Sequence, residues 1–212
     1  IPTDQKVNYL NALLSCGFDY LDFGSFVSPK AIPQLKDTAE VLEQLNPSDT
    51  KLLAIIANER GAQEASSHER ISILGYPFSI SETFQKRNTN HSLDASMKLM
   101  EAVSKIVEQN KKQLRVYLSM GFGNPYGDTW SEDLLCTWVD RLNTHFPIHD
   151  FALSDTIAVA TDAQCSTLFH ALFKHFPKQT FSAHFHVVPG QEQKLIQAAY
   201  DAGCQHFDTA IG

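Results

Sequence analysis

The chain has 212 residues, with 17 Lys+Arg against 24 Asp+Glu, for a formal net charge of −7 at pH 7 with histidines neutral. Hydrophobic residues make up 43% and charged residues 19%, a globular composition with enough apolar material for a buried core. The acidic balance and the lack of any Lys/Arg block argue against nucleic acid and acidic membranes as partners.

No apolar run reaches the roughly 18 residues that a membrane-spanning helix needs. The opening Ile1-Pro2-Thr3 does not read as a signal peptide. Cys16, Cys136, Cys165 and Cys204 are far apart and form no CxxC pair. They are expected to be reduced thiols, which points to a cytoplasmic location.

Thr3 can cap a helix that runs to about Ser15, with Leu10, Leu13 and Leu14 at helical spacing and Gly17 as its stop. Asp19–Phe23 reads as a short strand, Thr38–Leu45 as a helix, and Lys51–Ala57 as a buried strand after the Asn46-Pro-Ser-Asp turn. Asn58–Ser67 is helical and Arg70–Gly75 a strand. Pro77–Asn90 is expected to be a polar loop with a short helical piece. The longest helix spans about Ser92–Gln109, with Leu93, Met97, Met100, Val103 and Ile106 on one core-facing stripe. Gln113–Ser119 is a strand, followed by a Gly/Pro-rich loop over Gly121–Gly127. Then come helix Ser131–His145, strand Phe151–Ser154, helix Asp162–His175, strand Thr180–His186, helix Gln191–Ala202 and strand Gln205–Ala210.

Strict alternation of strands and helices implies a parallel sheet covered by helices. Seven strands are predicted, and the opening helix implies one more upstream. Eight is the count of an α/β (β/α)8 TIM barrel, which takes about 250 residues. The barrel is therefore expected to be incomplete in this chain, lacking its first strand and C-terminal region, with residues 1–212 as a single barrel domain. A doubly wound open sheet is the alternative. The Rossmann GxGxxG is absent: Gly121-Phe-Gly123 follows a strand, but the third glycine is misplaced and Pro125 interrupts the loop.

A barrel carries its chemistry at the C-terminal ends of its strands. The polar residues there are Asp22, Asn58, Ser119, Asp155 with Thr156, His184 with His186, and Asp208 with Thr209. Residues i and i+2 of a strand share a face, so His184 and His186 can aim both imidazoles at one divalent cation while Phe185 packs outward under the helices. Two hydrogen-bonded histidines at a strand end is the plainer reading. Asp155 can orient a ligand or neutralise a cation, or it can simply close an Asx-type turn at the strand exit. Asp22 shares a face with Tyr20 and Gly24, or else points outward to a helix-borne cation. Lys86-Arg87 can hold a phosphate or carboxylate, or form a solvated loop edge.

Together these segments resemble 3-hydroxy-3-methylglutaryl-CoA (HMG-CoA) lyases. Asp22-Phe-Gly-Ser-Phe-Val-Ser-Pro-Lys-Ala-Ile-Pro-Gln34 is similar to the second-strand signature of that family. Ser81–Asn90, Tyr117–Tyr126, Leu153-Ser-Asp-Thr-Ile157 and His184-Phe-His186 with Gly190-Gln191 resemble its later motifs in order, and Gly203–Gly212 fits its eighth strand. The resemblance implies a TIM-barrel carbon–carbon lyase that cleaves HMG-CoA to acetyl-CoA and acetoacetate, in leucine degradation and ketone-body formation. It implies a divalent metal cofactor, Mg²⁺ or Mn²⁺, on His184 and His186. It also implies Asp155 and Asp22 as catalytic or site-supporting carboxylates. Asn88, Lys86, Arg87, Thr156 and Ser119 would be substrate-binding residues, with an acyl-CoA substrate and a homodimer as partners. Glu is usual at position 22. The family's first-strand Arg and Asp, and the Cys and Asn of its glycine-rich loop, have no match in residues 1–212, so this stretch alone is expected to be inactive. Val187-Val188-Pro189 stands where many members have Asp-Thr-Tyr, and Asn124 where many have Cys. Both departures are expected to alter polarity near the mouth, which leaves a related acyl-CoA lyase, an isopropylmalate-synthase-type condensing enzyme and a non-catalytic barrel as alternatives.

Overall fold

A computed structural model provides the structure of the chain, and residues 1–210 are described. The chain divides into two compact units, Ile1–Tyr76 with Glu101–Leu114, and Pro77–Met100 with Arg115–Gly212.

In the first unit, helix α1 (Thr3–Leu14) buries Val7, Leu10 and Leu14, the stripe its spacing calls for. Thr3 does not cap it: Pro2 takes the N-cap position, and the Thr3 hydroxyl donates to Asp37 at 2.8 Å. Lys6 reaches the same carboxylate, so Asp37 ties α1 to the start of α2 (Thr38–Gln44). Strand β1 (Tyr20–Ser25) pairs in parallel with β2 (Lys51–Ile55), with a register shift between Asp22 and Gly24, and β2 pairs with β3 (Ile71–Ser79). Helix α3 (Glu59–Ser67) is capped by the Asn58 side chain, which accepts from Gly61 N at 2.8 Å. Gly61 must be glycine, because a Cβ there would sit 2.5 Å from the Phe26 carbonyl oxygen. A short 3-10 turn, Pro33–Leu35, precedes α2 and is not foreseen from the sequence.

In the second unit, the segment expected as a polar loop is ordered. Strand β3 continues through Pro77 to Ser79, and α4 occupies Glu82–Thr89. Proline costs a strand one donor but is compatible with extended backbone. Ser79 N donates to the Gln85 amide oxygen at 2.8 Å, and Ile80 N to the Ser119 carbonyl at 3.2 Å, so the strand exit stays hydrogen-bonded. Helix α5 (Leu93–Gln109), whose residues from Glu101 on belong to the first unit, buries Met97, Met100, Val103 and Ile106. Then follow β4 (Gln113–Ser119), α6 (Glu132–His145), β5 (Ile148–Asp155), α7 (Asp162–His175), β6 (Thr180–Phe185), α8 (Glu192–Asp201) and β7 (His206–Phe207). Ser81, Ser131 and Thr161 cap α4, α6 and α7, the last with a reciprocal Gln164 capping box. Each such cap is worth about 1 kcal/mol.

Among the described residues, seven strands follow one another in the sheet in chain order, β1 to β7. A doubly wound sheet reverses its strand order at a switch point. No reversal occurs, so the open-sheet alternative falls and the singly wound barrel order stands. Positions 211–212 of the segment fitted to the eighth strand lie outside the described residues.

Candidate functional site

The β5–β6 register brings two strand ends level, pairing Ser154 with His184 and Asp155 with Phe185. His184 is the penultimate residue of β6, and His186 lies just beyond the strand end, not within it. Its backbone N still donates to the Asp155 carbonyl at 3.2 Å, which continues the extended alternation for one more step. The two imidazole centroids therefore lie 5.5 Å apart with their planes inclined by 48°. Phe185, between them, turns the other way, against Phe122 and against Phe169 of α7.

His184 is held on two sides. Its ring meets Tyr117 edge-on at 5.3 Å, and its Nδ1 lies 2.7 Å from an Asp208 oxygen. An ionised carboxylate only accepts, so Nδ1 carries the proton and Nε2 is left with its lone pair when the ring is neutral. Behind Asp208 stands Arg115 of β4, whose Nη2 lies 2.7 Å from both Asp208 oxygens and 2.7 Å from the Ser182 hydroxyl. The Arg115 side chain is 4% exposed. Its Nε and Asp150 Oδ1 are 3.2 Å apart, an ion pair without hydrogen-bond alignment. The guanidinium also lies over the Tyr117 ring, 5.1 Å from its centroid.

Burial would raise the Asp208 carboxyl, but the His184 hydrogen bond and the Arg115 charge outweigh it and hold the group below the usual carboxylate range. Burial likewise opposes the Arg115 charge, and Asp150 and Asp208 overcome it, so the guanidinium stays firmly protonated. Asp150 goes the other way: burial pushes its carboxyl up against the pull of Arg115. Arg115 Nη2 grips both Asp208 oxygens at 2.7 Å, whereas Asp150 faces only its Nε at 3.2 Å.

Asp155 is 1% exposed. Its two oxygens accept from Val159 N at 3.0 Å and Ala160 N at 2.9 Å, the turn-closing role weighed above. The loop it shapes carries Thr156, whose hydroxyl accepts from Met120 N at 2.9 Å and supports a left-handed backbone at Met120, φ 61°. Ser119, at the end of β4, is buried, and its carbonyl accepts from Ile80 N and from the Ser79 hydroxyl. The structure thus brings Ser119, Asp155, Thr156, His184 and His186 to neighbouring strand ends. Asp22 lies in the first unit, exposed on β1 between buried Leu21 and Phe23.

Lys86, Arg87 and Asn88 are exposed on the last turns of α4, a helix and not the loop edge expected. Lys86 pairs with Glu82 at 2.8 Å, and Arg87 lies over the Tyr126 ring at 4.8 Å. The Lys86 and Leu93 N hydrogen bonds keep the Glu82 carboxyl below its ordinary range. Asn124 also departs from expectation. Its side-chain oxygen accepts from Tyr126 N and Asp128 N, and its amide donates to the Asp128 carbonyl at 2.9 Å. It staples its own loop and so adds no free polarity to the mouth. Val187 and Val188 are exposed, in keeping with an apolar change there.

Arg115, Asp150 and Ser182 escape the sequence reading, and Asp208 appears there only as one strand-end polar residue. The available signal was a lone cation inside the apolar run Leu114-Arg-Val-Tyr-Leu118. As for a metal, the chemistry of the pair fits: two imidazoles side by side, one already oriented by a carboxylate through its far nitrogen. Among the described residues no group of three or more His, Cys, Asp or Glu stands ready to complete a coordination set.

The HMGL-like family model matches residues 1–212. The chain belongs to the HMGL-like family. Hydroxymethylglutaryl-CoA lyase YngG of Bacillus subtilis is 31% identical over all of this chain and 71% of its own length. The 3-hydroxy-3-isohexenylglutaryl-CoA/hydroxymethylglutaryl-CoA lyase of Pseudomonas aeruginosa is 29% identical over all of this chain and 70% of its own. A solved HMG-CoA lyase from Acinetobacter baumannii, in complex with coenzyme A and 3-methylmalate, matches all of this chain and 68% of that one, with a TM-score of 0.91 and 30% identity. The strand order and these matches give the chain the TIM-barrel fold of the HMGL-like enzymes, and the reading of it as an HMG-CoA-lyase-like enzyme stands. Among the described residues no helix is long and apolar enough to cross a membrane.

Proposed function

We propose that this chain is the greater part of the catalytic domain of a divalent-metal-dependent lyase that cleaves HMG-CoA, or a close 3-hydroxy-3-acylglutaryl-CoA, to acetyl-CoA and a 3-oxo acid. The observation that carries the reading is the pair of imidazoles 5.5 Å apart at the end of β6, with Asp208 fixing the proton of the first on Nδ1. His184 and His186 would hold Mg²⁺ or Mn²⁺. When bound, such a cation acts as a Lewis acid on a substrate tertiary hydroxyl and lowers its pKa.

The chain's own groups do the rest. Asp155 fixes the loop 156–160 at the strand exits through its two backbone contacts and so sets where Thr156 stands beside Ser119. By the family resemblance Asp22, exposed on β1, would supply a supporting carboxylate for the reaction. Lys86, Arg87 and Asn88 offer an exposed donor cluster suited to the phosphates of an acyl-CoA. An intracellular setting in leucine degradation accords with this substrate. The free state of all four cysteines supports a reducing, cytoplasmic compartment. A homodimer is part of the same proposal.

A broader acyl group is the second reading. Val187 and Val188 present exposed apolar surface next to His186, and the Pseudomonas aeruginosa relative is named for a longer-chain substrate as well as for HMG-CoA. The test uses the complete protein. Acetoacetate release from HMG-CoA should stop on chelation and return with Mn²⁺ or Mg²⁺. A protein that cleaves neither HMG-CoA nor the isohexenyl analogue with metal present would overturn the proposal.

A further inference from the structure

Outside the two histidines, the most densely bonded group of charges in the second unit is the one behind them. Arg115 is buried in β4 between Leu114 and Val116, and its guanidinium faces Asp208, Ser182 and Asp150 at 2.7, 2.7 and 3.2 Å. A buried guanidinium costs several kcal/mol in lost hydration, and its attraction to neighbours repays this only when those neighbours are fixed. A structural ion pair would need one carboxylate. This guanidinium has two, and the more exposed of them, Asp208, is also the one in contact with the His184 imidazole. Tyr117 packs under both the guanidinium and the imidazole, so the two ends of the chain share a wall.

We propose that Arg115 is a positioning residue for His184: it fixes Asp208, which in turn fixes the proton and the orientation of the imidazole, so that Nε2 is presented to a divalent cation. The inference rests on the metal reading of His184 and His186. Arg115 touches neither substrate nor cation. It acts at two removes, and its loss is felt as a loosened His184. Outer partners of a ligating histidine typically contribute 10–100-fold to metal affinity.

The test is Mn²⁺ binding to the complete protein, followed by the electron paramagnetic resonance signal of free Mn²⁺ and by calorimetry, with no turnover required. Arg115→Met and Asp208→Asn should each weaken binding by about 10-fold or more. Leu142→Ala, a destabilising core truncation on α6 at a residue that makes none of the cluster's hydrogen bonds or ion pairs, should bind within about threefold of the unaltered protein. Should Arg115→Met fail to fold, Arg115→Lys, which keeps the charge and loses the guanidinium's simultaneous reach to Asp208, Ser182 and Asp150, takes its place with the same expectation. Imidazole ¹⁵N spectra of the metal-free protein, above the histidine titration range, should show His184 protonated on Nδ1. A wild-type protein that takes up no Mn²⁺ overturns the metal reading itself. Uptake that is indifferent to the Arg115 variants, or a His184 proton on Nε2, overturns the positioning role alone.

Discussion

Two polar regions of the second unit use the same residue types to opposite effect. At the β6 end, Arg115, Asp208, Asp150 and His184 form a largely buried cluster in which each contact depends on the others. On α4, Lys86 and Glu82 make a spacing-four pair whose side chains are 60% and 41% exposed. Coulomb attraction between the surface pair is screened by water and contributes about 0.3–0.5 kcal/mol. In the buried cluster, removing one partner leaves a largely desolvated charge short of a counter-ion. The surface cations stay available for a ligand, whereas the buried one is committed to holding its neighbours.

The sharpest way to break that contrast is Asp208→Ala. It should destabilise the fold by about 3 kcal/mol in urea unfolding, because buried Arg115 loses one of its two counter-ions and His184 loses its carboxylate partner. A cost below about 0.5 kcal/mol, the size of a surface effect, would place the cluster in the same class as α4.

His186→Ala comes next and acts on function. Its ring is exposed, so stability should change by no more than about 0.5 kcal/mol, while metal-dependent cleavage by the complete protein should fall by about 100-fold or more. Unchanged turnover would remove the metal assignment.

Asp128 is intermediate. It accepts from the Ser81 hydroxyl and from Thr83 N and Oγ1, and so pins the start of α4. Asp128→Asn should cost about 1 kcal/mol near neutrality. The Ser81 and Thr83 hydrogen bonds hold its carboxyl below the usual range. Its contribution is therefore complete above the unfolded carboxylate pKa of about 3.9 and disappears as pH falls through the lower folded value. The gap between wild type and Asp128→Asn, followed by chemical unfolding from pH 6 downward, should be flat at first and close only in that acid window.

The smallest effect is that of Lys86→Ala. Stability should move by about 0.3 kcal/mol at most, and less in high salt. KM for the acyl-CoA should rise with little change in kcat, which steady-state kinetics would separate. An equal fall in kcat would move Lys86 from substrate capture to the chemistry itself.

The strand-end signature His184-Phe-His186 was legible because a period of two is a property of extended backbone, whatever lies around it. The stripe of α5, and helices that begin near Asn58 and Ser131, were legible for a similarly local reason. The helical piece of Pro77–Asn90 was legible, but the continuation of β3 to Ser79 was not, because Pro and a run of polar residues resemble a loop, while the partners that keep the segment ordered, Ser119, Asp128 and Ser96, lie outside it. Asn124 was read as a change in mouth polarity, but the fold consumes its amide within its own turn.

Alternating periodicity, turn chemistry and ordered motifs determined by themselves that the chain is an alternating α/β protein with a histidine pair at a strand end, since each is written in residues only a few positions apart; the strand order that makes it singly wound came from the tertiary structure. Only the tertiary structure decided that Arg115, 93 positions from Asp208, stands behind one of those histidines. A buried charge is placed by the partners that neutralise it, and those partners meet only when the strands line up.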